Sequence, residues 1–547
     1  VTTTFERPRP RFPLRPLLIV LGVALLGRVL LLASGAVSFH SDEAVVALMA
    51  RHILQGERPV FFYGQAYMGS LDSWLVAIGF RLLGESVLTI RIVQALLYLG
   101  VVASSYYAGW RLSGRALVAA VTALSLAVPP VLLAVYTTAT LGGYNETLLF
   151  GCLLLALGYE VSHDNRRSWW RWLALGLIGG LAWWTNGLVV AFAAPVALLV
   201  FWRILRPLDD PRPLLQRAAP LLLTLVGFLV GSAPWWQFNF EHNFAALAFY
   251  VGGTPEGGFA GNNVPSLPFD QRLLGIFFLG LPTLIGLRFP WEPSFFLPLV
   301  GALLVFIYGL ALFRVARRTP AADGAPALKP DAAALVMGMV GLFGLIFLVS
   351  KFSIDPTGRY FLPFAVPFGI ALGVLLTTIR LPARRLWQVG LLALVFGYYA
   401  VGQIAAASRE PGLTTQFNLD SHIPNSHDEA LIAFLDEHGL YAGYTTYWVA
   451  FRLAFLSDER MQYSSALPYK TTLSYTESDE RFPPYKAAAD ADPNPTYITA
   501  KVFEVQQRLE AIFAERDLSY DRAEVGPYTI YYNFRPQAPR PPLPFSE

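Results

Sequence analysis

Apolar runs of roughly twenty residues recur along the chain, separated by short polar stretches. Runs long enough to cross about 30 Å of hydrocarbon lie at 14–36, 87–109, 116–136, 144–161, 170–185, 187–204, 218–236, 294–313, 331–350, 360–380 and 386–407, which predicts about eleven transmembrane helices. Two further apolar segments do not fit that scheme. Residues 70–84, "SLDSWLVAIGFRLLG", are too short to span comfortably and place Leu71, Trp74, Leu75, Ile78 and Leu82 at helical spacing, the pattern of a helix lying in the interface. Residues 273–289, "LLGIFFLGLPTLIGLRF", are expected to form a re-entrant or interfacial helix. From about residue 410 the pattern turns soluble: "SHDEALIAFLDEHG" predicts a helix, "YAGYTTYW" a strand, "VFEVQQRLEAIFAERD" a second helix and "GPYTIYYNF" a closing strand. The predicted fold is therefore an α-helical polytopic membrane protein with a small C-terminal α/β domain. Residues 1–409 form the transmembrane domain, with interfacial helices in a first external loop at 37–86; residues 410–535 form the α/β domain. The tail 536–547, "RPQAPRPPLPFSE" with its leading Arg, is too proline-rich for helix or sheet and is expected to be disordered. No internal repeat is visible.

The polar stretches sort by charge. "RPRPRFPLR", "WRLSGR", "NRRSWWR", "WRILRPLDDPRPLLQR", "RVARRT" and "RLPARR" fall on one side of the membrane. The segment around Asp42, "TTATLGGYNE", residues 237–272, "KFSIDPTGR" and everything after Arg409 fall on the other. Because cytoplasmic loops collect Lys and Arg, the N-terminus is expected in the cytoplasm and the α/β domain outside it, provided residues 273–289 do not cross. Composition agrees: 54% of residues are hydrophobic and 14% charged, which excludes an ordinary soluble protein of this length. The first apolar run is longer than a signal-peptide core and contains Arg28, so it is read as a retained span. A net charge of +3 gives no reason to expect a nucleic-acid partner. The single cysteine, Cys152, sits in an apolar run, so any external part folds without a disulfide.

Against this greasy background, "SFHSDEAVVALMARH" puts Asp42 and Glu43 directly after the first span. Locally, Ser41 can cap a helix that stops at Gly56, with both acids in the first turn where the helix dipole favours them. That explains why the carboxylates are tolerated, but not why "GERPVFFYGQAYMGSLDSW" brings Tyr63, Gln65, Tyr67 and Asp72 to the same interface. Glu146 at the mouth of the fourth span, Lys351, Arg359 and Tyr360 are expected on that face too. Such a set suits a substrate with an apolar tail and a polar head. Plainer readings stand beside it: Arg359 and Lys351 as snorkelling anchors, Glu146 as a helix-start acid, Asn186 as a turn residue, His40 as a lone histidine, and Arg28 and Arg91 as structurally paired cations.

The "DEA" opening the first external helix, the interfacial helix ending "GFRLLG", the following "LTIRIVQALLYL", "GGYNETLLFGCLLLA" and "DPTGRYFLPFAVP" together resemble the C-type superfamily of membrane glycosyltransferases. The layout is closest to protein O-mannosyltransferases and lipid A aminoarabinose transferases. The resemblance implies an inverting transferase that moves a sugar from a polyprenyl phosphate to an extracytoplasmic acceptor, in a prokaryotic cell membrane. It implies Asp42 as catalytic base. Glu43, Gln65, Tyr67, Glu146, Lys351, Arg359 and Tyr360 would then bind substrate, and a divalent metal, if used, would sit between Asp42 and Glu146. One departure matters: where such relatives carry "HPPL" or "KPPL" before the second interfacial helix, this chain reads "YMGSL", with no basic residue for phosphate or metal. The acceptor stays open between protein, lipid and glycan. Two other classes compete: a transporter or flippase of lipid-linked sugars, and an outer α/β domain that does the work while the spans only anchor it.

Overall fold

The computed structural model describes residues 12–163, 168–206, 212–251, 268–349, 355, 357–416 and 422–545. Among them, eight helices are long and apolar enough to cross a membrane: Leu14–Ala33, Val87–Ser113, Gly187–Leu205, Leu214–Gly231, Pro298–Ala316, Pro330–Val349, Arg359–Thr378 and Arg384–Ala407. The other three expected spans are helical but fall short of that mark. Residues 116–136 divide into Ala116–Ala127 and Val131–Tyr136, because Pro129 and Pro130 supply no amide hydrogen and crowd the preceding turn. Trp169–Thr185 has 17 residues, and Tyr144–His163 carries Asn145, Glu146 and Glu160 on an otherwise apolar helix. The expectation of eleven thus becomes eight by length and apolarity. The two segments set apart by pattern are helical: Leu71–Leu83 is a 13-residue helix, and residues 269–284 form a short helix interrupted by a π turn at Ile276–Gly280.

The C-terminal part is a five-stranded sheet ordered β2-β1-β3-β5-β4, with β1 Ala442–Thr446, β2 Gln462–Leu467, β3 Thr496–Ala500, β4 Ser519–Val525 and β5 Tyr528–Arg535. The first three strands are parallel; β3–β5 and β5–β4 are antiparallel. The helices Asp428–His438 and Phe503–Glu515 lie where their patterns predicted. Between β1 and β2 runs a helix that the pattern did not disclose, Tyr447–Leu456, "YWVAFRLAFL". Apart from Arg452, which pairs with Asp428 at 2.8 Å, it is apolar all round, so it needs partners on every side. It finds them in the sheet and in the first-loop helix Ser41–Gln55: Val45, Leu48 and Met49 share one buried cluster with Trp448, Phe451 and Phe455. Ser41, expected to cap its own helix, instead donates to the Tyr447 carbonyl at 2.6 Å. The acidic loop and the C-terminal part are therefore joined by a common core.

The expected disorder of the tail is corrected for residues 536–545. Ala538, Leu543 and Phe545 are buried against the Phe513 and Tyr531 side of the sheet, Tyr497 donates to the Pro539 carbonyl, and Arg508 donates to that of Pro544 at 2.9 Å. Prolines leave no amide hydrogens to satisfy, so an extended proline-rich strap can pack without pairing in the sheet. Residues 546–547 lie outside the described residues. Several Arg-rich loops also meet one another: Arg115 pairs with Asp323 at 2.8 Å, and Arg380 donates to the Ala321 carbonyl at 3.3 Å.

Candidate functional site

The first-loop helix begins at Ser41 after His40, whose extended backbone turns the chain out of the span (φ −135°). Successive helical residues point about 100° apart, and the two acids diverge accordingly. Asp42 opens on a cavity of about 370 Å³ and is 18% exposed. Its Oδ1 accepts a hydrogen bond from the Tyr447 hydroxyl, and its Oδ2 lies 4.0 Å from His40 Nδ1. Burial, reinforced by Asp42, pushes the Tyr447 phenol well above its ordinary range, so it stays a donor. Burial pushes His40 down to about 4, leaving it neutral at neutral pH, with its Nε2 2.8 Å from Thr415 Oγ1.

Glu43 turns the other way. It is fully buried and forms a two-point ion pair with Arg91, at 2.7 and 2.8 Å, and it accepts from the Thr140 amide at 3.2 Å. Burial lifts it to about 7 against the pull of Arg91. The remaining Arg91 hydrogens go to the Thr138 and Val37 carbonyls at 3.1 and 3.2 Å. Glu43 is thus withdrawn from the expected substrate-binding set. Glu146 is withdrawn with it: it is 1% exposed and its carboxyl packs against Asp72. Asp72 is itself held by Gln94 at 2.7 Å and by the Thr140 hydroxyl, and burial raises it above the usual carboxylate range. Two glycines in "GGYNE" make this turn possible. Gly142 and Gly143 have φ of 65° and 78°, and a Cβ on them would stand 2.4 Å from Met68 Sδ and 2.5 Å from Thr185 Cγ2. They let Tyr144 face the cavity while Glu146 faces away from it.

Arg359 reaches the cavity from a turn built by "DPTGR". Asp355 Oδ1 accepts from the Thr357 amide and hydroxyl at 2.8 and 2.6 Å, which leaves Oδ2 to pair with Arg359 Nε at 2.5 Å. Gly358, at φ 80°, reverses the chain beside Thr283. Tyr360 lies next to Arg359, its hydroxyl 3.2 Å from Nη2. Gln65, Tyr67 and Asn186 also line the cavity; Asn186 serves the turn as well, accepting from the Leu188 amide at 2.9 Å and donating to the Gly142 carbonyl at 3.0 Å. Lys351 lies outside the described residues. Arg28 and Arg91 are paired within the fold, Arg28 donating to Thr137 Oγ1 at 2.8 Å and lying over the Tyr98 ring at 3.9 Å.

The sequence did not disclose that the C-terminal part supplies a whole wall of this cavity: Tyr447, Trp448, Tyr469, Asp479 and Arg481. The only signal was the run "SDERF", acid and base close together in a loop before two prolines. Burial and Asp42 push Asp479 up to about 6, while Arg481 and Lys470 pull it down. Among the described residues, no three His, Cys, Asp or Glu side chains come together to hold a metal ion. The expected pairing of Asp42 with Glu146 around a divalent cation is not assembled, since only Asp42 opens on the cavity.

A family profile described as dolichyl-phosphate-mannose-protein mannosyltransferase matches residues 70–238. Among solved structures, the chain is similar to ArnT from Cupriavidus metallidurans, described both bound to undecaprenyl phosphate and in the apo state. Each match has 16% identity and a TM-score of 0.58, covering 96% of this chain and 99% of that one. It is also similar to the Archaeoglobus fulgidus oligosaccharyltransferase, at 13% identity and a TM-score of 0.51, covering 95% of this chain and 73% of that one. No curated protein sequence matches the chain. The resemblance to C-type membrane glycosyltransferases read from the sequence is borne out: the fold is shared along nearly the whole chain, and the profile falls on residues 70–238, from the start of the helix Leu71–Leu83 to Phe238.

Proposed function

We propose that the chain is an inverting glycosyltransferase that moves a sugar from a polyprenyl phosphate to an acceptor hydroxyl on the extracytoplasmic side of the membrane. One observation carries this reading. A carboxylate, Asp42, and a guanidinium, Arg359, from residues far apart in sequence, line one cavity with a mostly aromatic and aliphatic wall. In the proposed reaction Asp42 takes the proton of the acceptor hydroxyl as its oxygen bonds to the anomeric carbon. The bond from that carbon to the phosphate oxygen breaks, and the lipid phosphate leaves with the electron pair. A phosphate leaves as a stable anion, so cations that receive its charge matter more than a general acid. Tyr447 holds the Asp42 carboxylate in place.

The test is transfer of labelled sugar from a panel of polyprenyl-phosphate sugars by the purified full chain. Transfer that falls by ~10²- to 10⁴-fold in Asp42→Asn, with folding intact, supports the reading. Absence of transfer from every donor, or full activity in the variant, overturns it. The flippase reading needs mid-span charges left for cargo, and Arg28 and Arg91 are instead engaged within the fold. The anchor reading is disfavoured because the cavity takes its wall from both parts of the chain.

A further inference from the structure

The first loop carries no Lys, Arg or His between Pro59 and Asp72, yet it forms the part of the cavity wall that contains Phe62, Gln65 and Tyr67. A guanidinium nevertheless lies against that wall, brought from the other end of the chain. With its amide oxygen turned toward it, Gln65 accepts from both terminal nitrogens of Arg481 at 2.5 and 2.8 Å. The guanidinium carbon of Arg481 lies 5.8 Å from the Phe62 ring centroid and 5.5 Å from that of Tyr447. The loop is shaped to receive it: Gly64 is left-handed at φ 71°, and a Cβ there would stand 3.2 Å from Arg481 Cδ.

One feature separates this cation from Arg359. Arg359 is charge-paired with Asp355 at 2.5 Å, whereas the hydrogen-bond acceptor that holds Arg481 in the first loop is a neutral amide. The buried Nε of Arg481 has no hydrogen-bond partner. A buried donor left unmade is costly, and an anionic oxygen entering the cavity would relieve that cost. A planar guanidinium grips phosphate through parallel hydrogen bonds that an ammonium cannot reproduce.

We infer that Arg481 is the cation that binds the phosphate of the lipid-linked donor, supplying from the C-terminal part a positive charge that residues 60–71 of the first loop lack. The inference rests on the polyprenyl-phosphate reading above and makes the C-terminal part a component of the donor site. Asp479, two residues away on the same cavity wall, tempers the charge when no phosphate is present.

The test compares binding of undecaprenyl phosphate with that of undecaprenol, its uncharged counterpart, to the full chain in detergent. Wild type is set beside Arg481→Gln, Arg481→Lys and Arg359→Gln, with thermal unfolding of each lipid-free variant as the folding control. The expected result is a wild-type preference for the phosphate that falls by ~10- to 100-fold in Arg481→Gln, with Arg481→Lys between the two. If the preference survives in Arg481→Gln and is lost in Arg359→Gln, the inference is overturned while the donor reading stands. If wild type shows no preference for the phosphate, both are overturned. Should Arg481→Gln fail to fold, Arg481→Lys decides: a severalfold loss of preference supports the inference, and an unchanged preference overturns it.

Discussion

Asp42 and Glu43 are neighbours in the chain, yet they stand in two different chemical regions. Asp42 belongs to an open cavity where carboxylates, guanidiniums and aromatic rings face space large enough for a ligand. Glu43 belongs to a closed cluster behind it, bonded to Arg91 and Thr140, with Asp72 held by Gln94 and Glu146 packed against Asp72. Acidity and burial are found in both regions, so neither marks the site. What distinguishes them is access: Asp42, Arg359 and Arg481 line the cavity, whereas Glu43 and Glu146 do not. In the closed cluster the charges hold the first loop against "TTATLGGYNE"; in the cavity they face the space a ligand would occupy.

The sharpest break of this comparison is Asp42→Asn set against Glu43→Ala. Asp42→Asn is expected to lower sugar transfer by ~10²- to 10⁴-fold with little change in thermal unfolding. Glu43→Ala is expected to act in the opposite sense, destabilising the fold by ~3–5 kcal/mol in a denaturant titration, because it leaves Arg91 buried without its counter-ion. If Glu43→Ala left stability unchanged and Asp42→Asn unfolded the protein, the division into open and closed regions would be wrong. Next in size is Gly143→Ala, at the loop that separates Tyr144 from Glu146. A left-handed backbone costs a side chain ~1–3 kcal/mol, and the added methyl meets Thr185. Reduced stability together with weaker lipid binding is expected, read by thermal unfolding and by titration of undecaprenyl phosphate.

The smallest effect is one of pH. Asp479 is raised to about 6 in the folded chain from an unfolded value near 3.9. The folded state therefore holds its proton more tightly, and the stability this contributes is complete below about 4 and lost as pH rises through about 6. Asp479→Asn is expected to abolish that component, so stability should fall less over this interval than in wild type. The same ionisation offsets Arg481, so wild-type affinity for a lipid phosphate is expected to be severalfold stronger below about 6 than above it, relative to Asp479→Asn. Parallel pH curves for the two proteins would remove Asp479 from the account.

Much of this was legible before the fold was known. Period and length located most of the spans and the helix Leu71–Leu83, and the residue pattern together with the resemblance pointed to Asp42, Gln65, Tyr67, Arg359 and Tyr360, all of which reach one cavity. The errors share a cause. Glu43 and Glu146 were placed at the site because acids near a membrane face look alike in sequence, and their partners Arg91 and Asp72 lie 48 and 74 residues away. The helix Tyr447–Leu456 was hidden because nine of its ten residues are apolar, which leaves no polar face to read.

The sequence by itself determined what local physics governs: a chain too apolar for water, the segments able to satisfy their own backbone in lipid, the acidic helix start at Ser41 and its stop at Gly56. Tertiary structure alone decided which of two adjacent carboxylates faces the cavity, that the C-terminal part forms one of its walls, and that Arg481 arrives where residues 60–71 of the first loop carry no cation. The physical reason is that a charge's role depends on what lies within a few ångströms of it, and those neighbours are set by packing between segments hundreds of residues apart.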